Sequence, residues 1–418
     1  MLQTVLQHRN FSLQLGNILD QFATVSPVEP LVVGPSWELI ASLNGVMTPA
    51  IVYDLENLDR SLSILQEDIG KVRNAKLNFA VKACHTPQIL EFLARKGLGA
   101  DVASMGEFHL ARDAGFREIT ATGPSFTSAE AIELAGFGMA VDASSIDQLQ
   151  AFWESEPNLD VGIRLRIPLP DHIDDRTTTF GTNSRFGILP ADHKLQNLDH
   201  ENSGKIIRLH THTGQMTPEH LLYKAKVLLA TATFYKGVRS IDFGGGFFSL
   251  YVSRSRAISA LQELNSMVES WVAQNDRDIE IVFEPGAATL GSHGYLVTEV
   301  TATEDNHSGF GCNVATLNAS SWNLTPWHLP KVFKLGSLST ESAKSPYLLA
   351  GNTLYENDFF GSDLFGKRKL FQVSKLSVHD KVVFTNSGAY TMTNSRDFNR
   401  IPKPKEYIFS ERETTFIK

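Results

Sequence analysis

Two cysteines in 418 residues, Cys84 and Cys312, are too few for a disulfide framework or a thiolate zinc set, which suits a chain working in a reducing cytoplasm. Basic charge is scarce as well. The net charge is -8, and "KVRNAK" and "GKRKL" read as solvated turns, so no concentrated basic face for nucleic acid is expected. No apolar run approaches the roughly 18–20 residues of a membrane span. The opening stretch "MLQTVLQHRNFSLQLGNILDQF" lacks the charged n-region and continuous apolar core of a secretory leader. It reads as an amphipathic helix packing through Val5, Phe11, Leu15, Ile18 and Phe22. No internal repeat or low-complexity tract is evident.

What is present is an alternation. From about residue 48 to 288, short apolar runs alternate with longer amphipathic stretches: "AIVYDL", "KLNFAVKA", "GADVAS", "EITATGP", "MAVDAS", "VGIRLRI", "IIRLHTHTG", "SIDFGGGF" and "IEIVFEPGA". Eight or nine strands with intervening helices predict an α/β fold of the (β/α)8 TIM-barrel type. Beyond residue 289 the strand-like runs "GYLVTEVTATE", "SPYLLAGNTL" and "DKVVFTNSGAY" have few helical stretches between them. Residues 289–418, joined by 1–47, are therefore expected to form a second, mainly β domain, and "DHIDDRTTTFGTNSRFG" a polar loop on the barrel.

Functional groups of such a barrel sit at the C-terminal ends of its strands. Lys82 falls at one, after the apolar run "LNFAV"; Asp101, Arg166, His210, His212, Gly244 to Gly246 and Glu284 fall at others. Each has a plainer reading. Lysines mostly sit exposed, three glycines serve any tight turn, and a strand-end glutamate or Arg166 and Arg185 can close structural ion pairs. His210 and His212 share a strand face, but the spacing offers no third metal ligand, so no metal is expected. Cys84 reads as a packing residue. Together, an amine, a glycine turn, a flat imidazole and a buried carboxylate suit pyridoxal 5′-phosphate.

At this point the sequence resembles a known group. "FAVKAC", "GADVASMGE", "SRFGI", "HTHTGQ", "DFGGGF", "EPG", "GNTLYENDFF" and "GAYTM" occur in the order found in fold-type III pyridoxal phosphate decarboxylases, the ornithine/diaminopimelate decarboxylase group. The resemblance spans about residues 48 to 400. It implies Lys82 as the Schiff-base lysine, His212 stacked on the cofactor ring, and Glu284 as the pyridine-nitrogen partner. Gly244, Gly245 and Gly246 would form the phosphate turn, with Asp101, Glu107 and Arg166 near the cofactor and Tyr390 reaching the phosphate from the second domain. A head-to-tail homodimer with sites at its interface is implied too. The implied reaction is decarboxylation of an amino acid to an amine and carbon dioxide.

Three departures qualify what is carried over. Ala287 stands where the group's "EPGR" arginine helps to hold phosphate, and Leu354 stands where a dimer-mate cysteine is usual, leaving Tyr355 or Glu356 to supply a proton to Cα. The segment "CNVATLNASSWNLTPW" has neither the arginine of diaminopimelate enzymes nor the acid of ornithine enzymes. Asn318 and Trp322, with Tyr355 and Glu356, are therefore expected to meet a larger or neutral substrate tail, as in decarboxylases of siderophore assembly. The alternatives are an amino-acid racemase on the same fold, which would set an arginine where Glu284 stands, and a catalytically degenerate homologue.

Overall fold

The computed structural model describes residues 34–170, 184–202, 204–325, 330–336, 343–362, 367–411 and 413–417. The expected N-terminal helix and most of the expected polar loop lie outside these residues. The chain divides into two compact units, one of residues 63–288 and one formed by the described residues up to 62 with 289–418.

In the first unit eight parallel strands close into a barrel. They are β2 (Ala75–Ala80), β3 (Gly99–Val102), β4 (Ile119–Thr122), β5 (Val141–Ala143), β6 (Val161–Arg164), β7 (Ile206–His210), β8 (Ser240–Asp242) and β9 (Glu280–Phe283). Local chemistry sets where the helices begin. Ser104, Thr127, Ser145 and Thr217 each accept a backbone N–H of the helix that follows, satisfying donors with no intrahelical partner. Polar side chains also pair inside the barrel. Asn78 on β2 donates to Thr120 on β4, and Arg208 on β7 to Asp142 on β5. Gly99 and Gly162 on the intervening strands leave room for these cross-lumen pairs, since a Cβ at either would collide with Asn78 or Asp142.

One strand is a correction. "AIVYD", expected as the first barrel strand, is β1 (Ala50–Asp54), and it belongs to the other unit: it pairs antiparallel with β10 (Gly294–His307) and parallel with β16 (Lys405–Ser410). All five residues are buried, and a continuous apolar run before a helix looks the same in a barrel as between two neighbours in a mixed sheet. The same unit contains β11 (Cys312–Leu317), β12 (Val332–Lys334), β13 (Lys344–Ala350), β14 (Phe371–Ser374), β15 (Lys381–Phe384) and β17 (Glu413–Phe416). The three strand-like runs read from the sequence form β10, β13 and β15. Leu39, Ile40, Val52, Tyr295, Val297, Val383 and Phe409 pack as its core.

Candidate active site

Lys82 sits in a single 3-10 turn, Val81–Ala83, directly after β2, and its ammonium donates to Asp101 Oδ2 on β3 at 3.1 Å. The lysine side chain is 46% exposed whereas Asp101 is 2% exposed, so the amine stands at the mouth with its partner anchored beneath. Glu284, just past β9, is buried and accepts from Thr120 Oγ1 at 3.3 Å. Burial, then the carboxylates of Asp101 and Asp242, raises its pKa well above the usual carboxylate range, with Lys82 pulling the other way. A carboxyl so placed favours any proton donor brought beside it.

Beneath Glu284 lies a buried relay. His210 Nε2 is 3.6 Å from Glu284 Oε2, while its Nδ1 is 3.3 Å from Asp142 Oδ2 and 3.2 Å from Thr122 Oγ1. Arg208 donates to Asp142 at 2.8 Å and, against the effect of burial, holds that carboxylate below its ordinary pKa. Donor atoms of His210, Asp242 and Glu284 all lie within 4.8 Å of one another. Sequence spacing offered the histidine pair no third ligand; the fold brings two carboxyls to His210, a grouping that suits a cation or a shared proton.

His212 follows β7. The N–H of Gly245 donates to its Nδ1 at 3.1 Å, so that nitrogen is an acceptor and the imidazole is neutral with its proton on Nε2. Burial, followed by the charges of Arg164 and Lys82, pushes its pKa well below the usual value, in keeping with the neutral ring. The turn Gly244–Gly246 has φ of 67° at Gly244 and 92° at Gly246, a region that disfavours side chains. A Cβ at Gly244 would lie 2.8 Å from His212 Nδ1, and one at Gly245 2.7 Å from the Glu284 carbonyl oxygen.

The remaining expected residues divide. Glu107 spends both oxygens locally, accepting the Ala103 N–H at 2.7 Å and facing His85 Nε2 at 3.1 Å, at the start of helix Met105–Asp113. Arg166 donates to the Ser184 carbonyl oxygen at 2.8 Å, and Arg185 lies over the Phe186 ring at 3.9 Å. The arginine in electrostatic reach of Glu284, Asp101, Asp142 and Asp242 is instead Arg164, the last residue of β6. Sequence reasoning passed over Arg164, Asp142, Arg208 and Asp242. The available signal was charge inside otherwise apolar strands, which in a barrel must pair across the lumen.

Tyr390 and the expected substrate residues belong to the other unit. Tyr390 has φ of 58° and caps helix Thr391–Asn394. Asn318 is engaged at both ends of its amide, accepting the Glu299 N–H and donating to Thr48 Oγ1, each at 2.9 Å. Trp322 stacks on Tyr355 with ring centroids 5.1 Å apart and meets Phe398 edge-on, while Glu356 is exposed. This surface is held by Asp358. Its buried carboxylate accepts from Ser320 Oγ, from the N–H and hydroxyl of Ser321, and from the N–H and hydroxyl of Thr353, at 2.7 to 3.2 Å. Asp358→Ala strands those donors and is expected to cost roughly 2–4 kcal/mol of stability in a urea melt.

The barrel residues fit pyridoxal phosphate. Asp101 Oδ1 and His210 Nε2 are buried without hydrogen-bond partners near Glu284, as a site awaiting a proton donor would leave them. The glycine turn, in turn, is a cradle from which side chains are excluded. The model of the pyridoxal-binding domain of pyridoxal-dependent decarboxylases matches residues 55–291. Diaminopimelate decarboxylase of Buchnera aphidicola subsp. Acyrthosiphon pisum is 22% identical over 391 residues, covering 88% of this chain and 91% of its own. A crystal structure of diaminopimelate decarboxylase superposes with a TM-score of 0.77 at 20% identity, covering 91% of this chain and 93% of that one. Lysine decarboxylase from Selenomonas ruminantium gives 0.72 at 19% identity, over 91% and 97%.

Proposed function

The chain belongs to the pyridoxal-dependent decarboxylases, and from that premise we propose that its barrel residues remove the α-carboxyl group of an amino-acid conjugate with a neutral or extended tail. The observation that carries this reading is the buried Glu284 carboxyl, its pKa raised by burial and by the carboxylates of Asp101 and Asp242, with the Lys82 amine opposing. A racemase of the same fold would need a cation there.

Bound pyridoxal phosphate supplies an electron sink for the pair released when the bond between Cα and the carboxyl group breaks. Lys82 is the amine that would hold its aldehyde carbon, and Asp101, 3.1 Å away, is placed to take and return the amine proton. Glu284 would hold a proton at the ring nitrogen, helped by the anionic surroundings of Asp101 and Asp242. His212, anchored through Nδ1, would offer the flat of its ring, and Gly244–Gly246 would take the phosphate.

A head-to-tail homodimer completes the reading. Leu354 is 92% exposed beside the Trp322, Tyr355 and Phe398 cluster, an apolar surface of the kind that association covers. Tyr355 or Glu356 of the partner would then return a proton to Cα. The substrate tail is argued from residues 312–327, which carry no charged side chain, and this favours the siderophore-assembly type of conjugate over a free diamino acid. Carbon dioxide release is to be measured from lysine, ornithine, meso-diaminopimelate and a citryl-diaminopropionate conjugate. Faster release from the conjugate is expected; turnover of meso-diaminopimelate alone would remove the tail assignment, and no release from any of them the decarboxylase assignment.

A further inference from the structure

Lys224, on helix Pro218–Phe234, is completely buried, and its ammonium donates to the Phe243 carbonyl oxygen at 2.6 Å with Met216 Sδ at 3.4 Å. Among the described residues it makes no ion pair. A buried ammonium without a carboxylate partner is costly, and a methionine would fill similar volume, so packing alone does not explain the charge.

The carbonyl it holds belongs to the peptide that opens the glycine turn. At the other end of that peptide, the Gly244 N–H donates to Asp242 Oδ1 at 2.8 Å. Two of the three glycine carbonyls are drawn back likewise: Gly244 O accepts from the Glu284 N–H at 2.9 Å, and Gly246 O from the Met216 N–H at 2.8 Å. Oxygens that would repel an anion are thus tied into the protein, one of them by a cation. Burial lowers the Lys224 pKa to about 7, with Asp242 and Glu284 opposing, so a nearby dianion would favour its charged form at neutral pH.

We propose that Lys224 supplies the positive charge for a phosphate dianion seated on Gly244–Gly246, acting from behind the turn, where it also draws the Phe243 carbonyl oxygen into the protein. It is a positioning residue, and the inference rests on the barrel being a pyridoxal phosphate site. It also accounts for a phosphate turn that works with Ala287 nearby in place of an arginine.

The test uses holoprotein dialysed to equilibrium against graded pyridoxal phosphate and, in parallel, against pyridoxal, which has the same ring and aldehyde but no phosphate. Bound chromophore is read by visible absorbance. Lys224→Met is expected to weaken pyridoxal phosphate about tenfold or more and pyridoxal by less than about threefold. Lys224→Gln, which keeps a donor for Phe243 but no charge, is expected to do the same. Equal losses for both ligands, a wild-type ratio in Lys224→Gln, or loss of folding in both variants by circular dichroism would each overturn the proposal. If the wild-type protein binds neither ligand, the failure lies in the assignment of the site itself.

Discussion

Lys82→Ala is expected to lower decarboxylation by roughly 10⁴-fold or more and to leave the purified protein without a covalently held chromophore. Nothing else in the described barrel mouth replaces it. The neighbouring amine, Lys224, is fully buried and bound to the Phe243 carbonyl, so it has no path to an incoming aldehyde. The replacement also leaves Asp101 buried with both oxygens unpaired, since Oδ1 already lacks a partner and Oδ2 loses the ammonium. A modest change in thermal stability is expected, far too small to explain the loss of turnover. Retained absorbance after borohydride treatment and denaturation of the variant would show that the link is made elsewhere.

Glu284→Gln is the second large effect, a fall of about 10²–10³-fold in kcat with a smaller change in KM. The amide is nearly isosteric and can still accept from Thr120, but it carries no negative charge to hold a proton on a ring nitrogen. Stability should move the other way. Glu284 has its pKa raised by burial and by two neighbouring carboxylates, so the folded protein disfavours its ionised form, and that cost grows as pH rises above the ordinary glutamate value. The neutral amide removes it, so the variant is expected to melt no lower than the wild type at pH 7 to 8. A variant that keeps full activity would separate Glu284 from the chemistry, whereas one that melts far lower would make it a structural residue.

Several of the proposed site residues were singled out because their signals are local. Lys82, His212 and Glu284 each end an apolar strand, and the glycines of "DFGGGF" announce a turn that side chains cannot occupy. Arg166 shows where such reading stops. "RLR" places two arginines two apart on the same strand face, and only the actual end of β6 decides that Arg164 enters the electrostatic field of Glu284 while Arg166 turns to the Ser184 carbonyl. Glu107 matches a motif position near the cofactor, yet its oxygens serve Ala103 and His85.

By itself the sequence determined the barrel's periodicity, the strand-rich character of the remainder and the chemical types gathered at the strand ends, because alternation and side-chain chemistry are properties of short stretches. Only the tertiary structure decided that β1 leaves the barrel series for the mixed sheet, that Arg208, Asp142 and His210 form a line beneath Glu284, and that Lys224 lies behind the glycine turn. Those facts depend on barrel closure and strand pairing, which bring together residues far apart in the chain, such as Thr120 and Glu284, 164 positions apart, or Ala50 and Lys405. No local pattern encodes which buried charge will meet which.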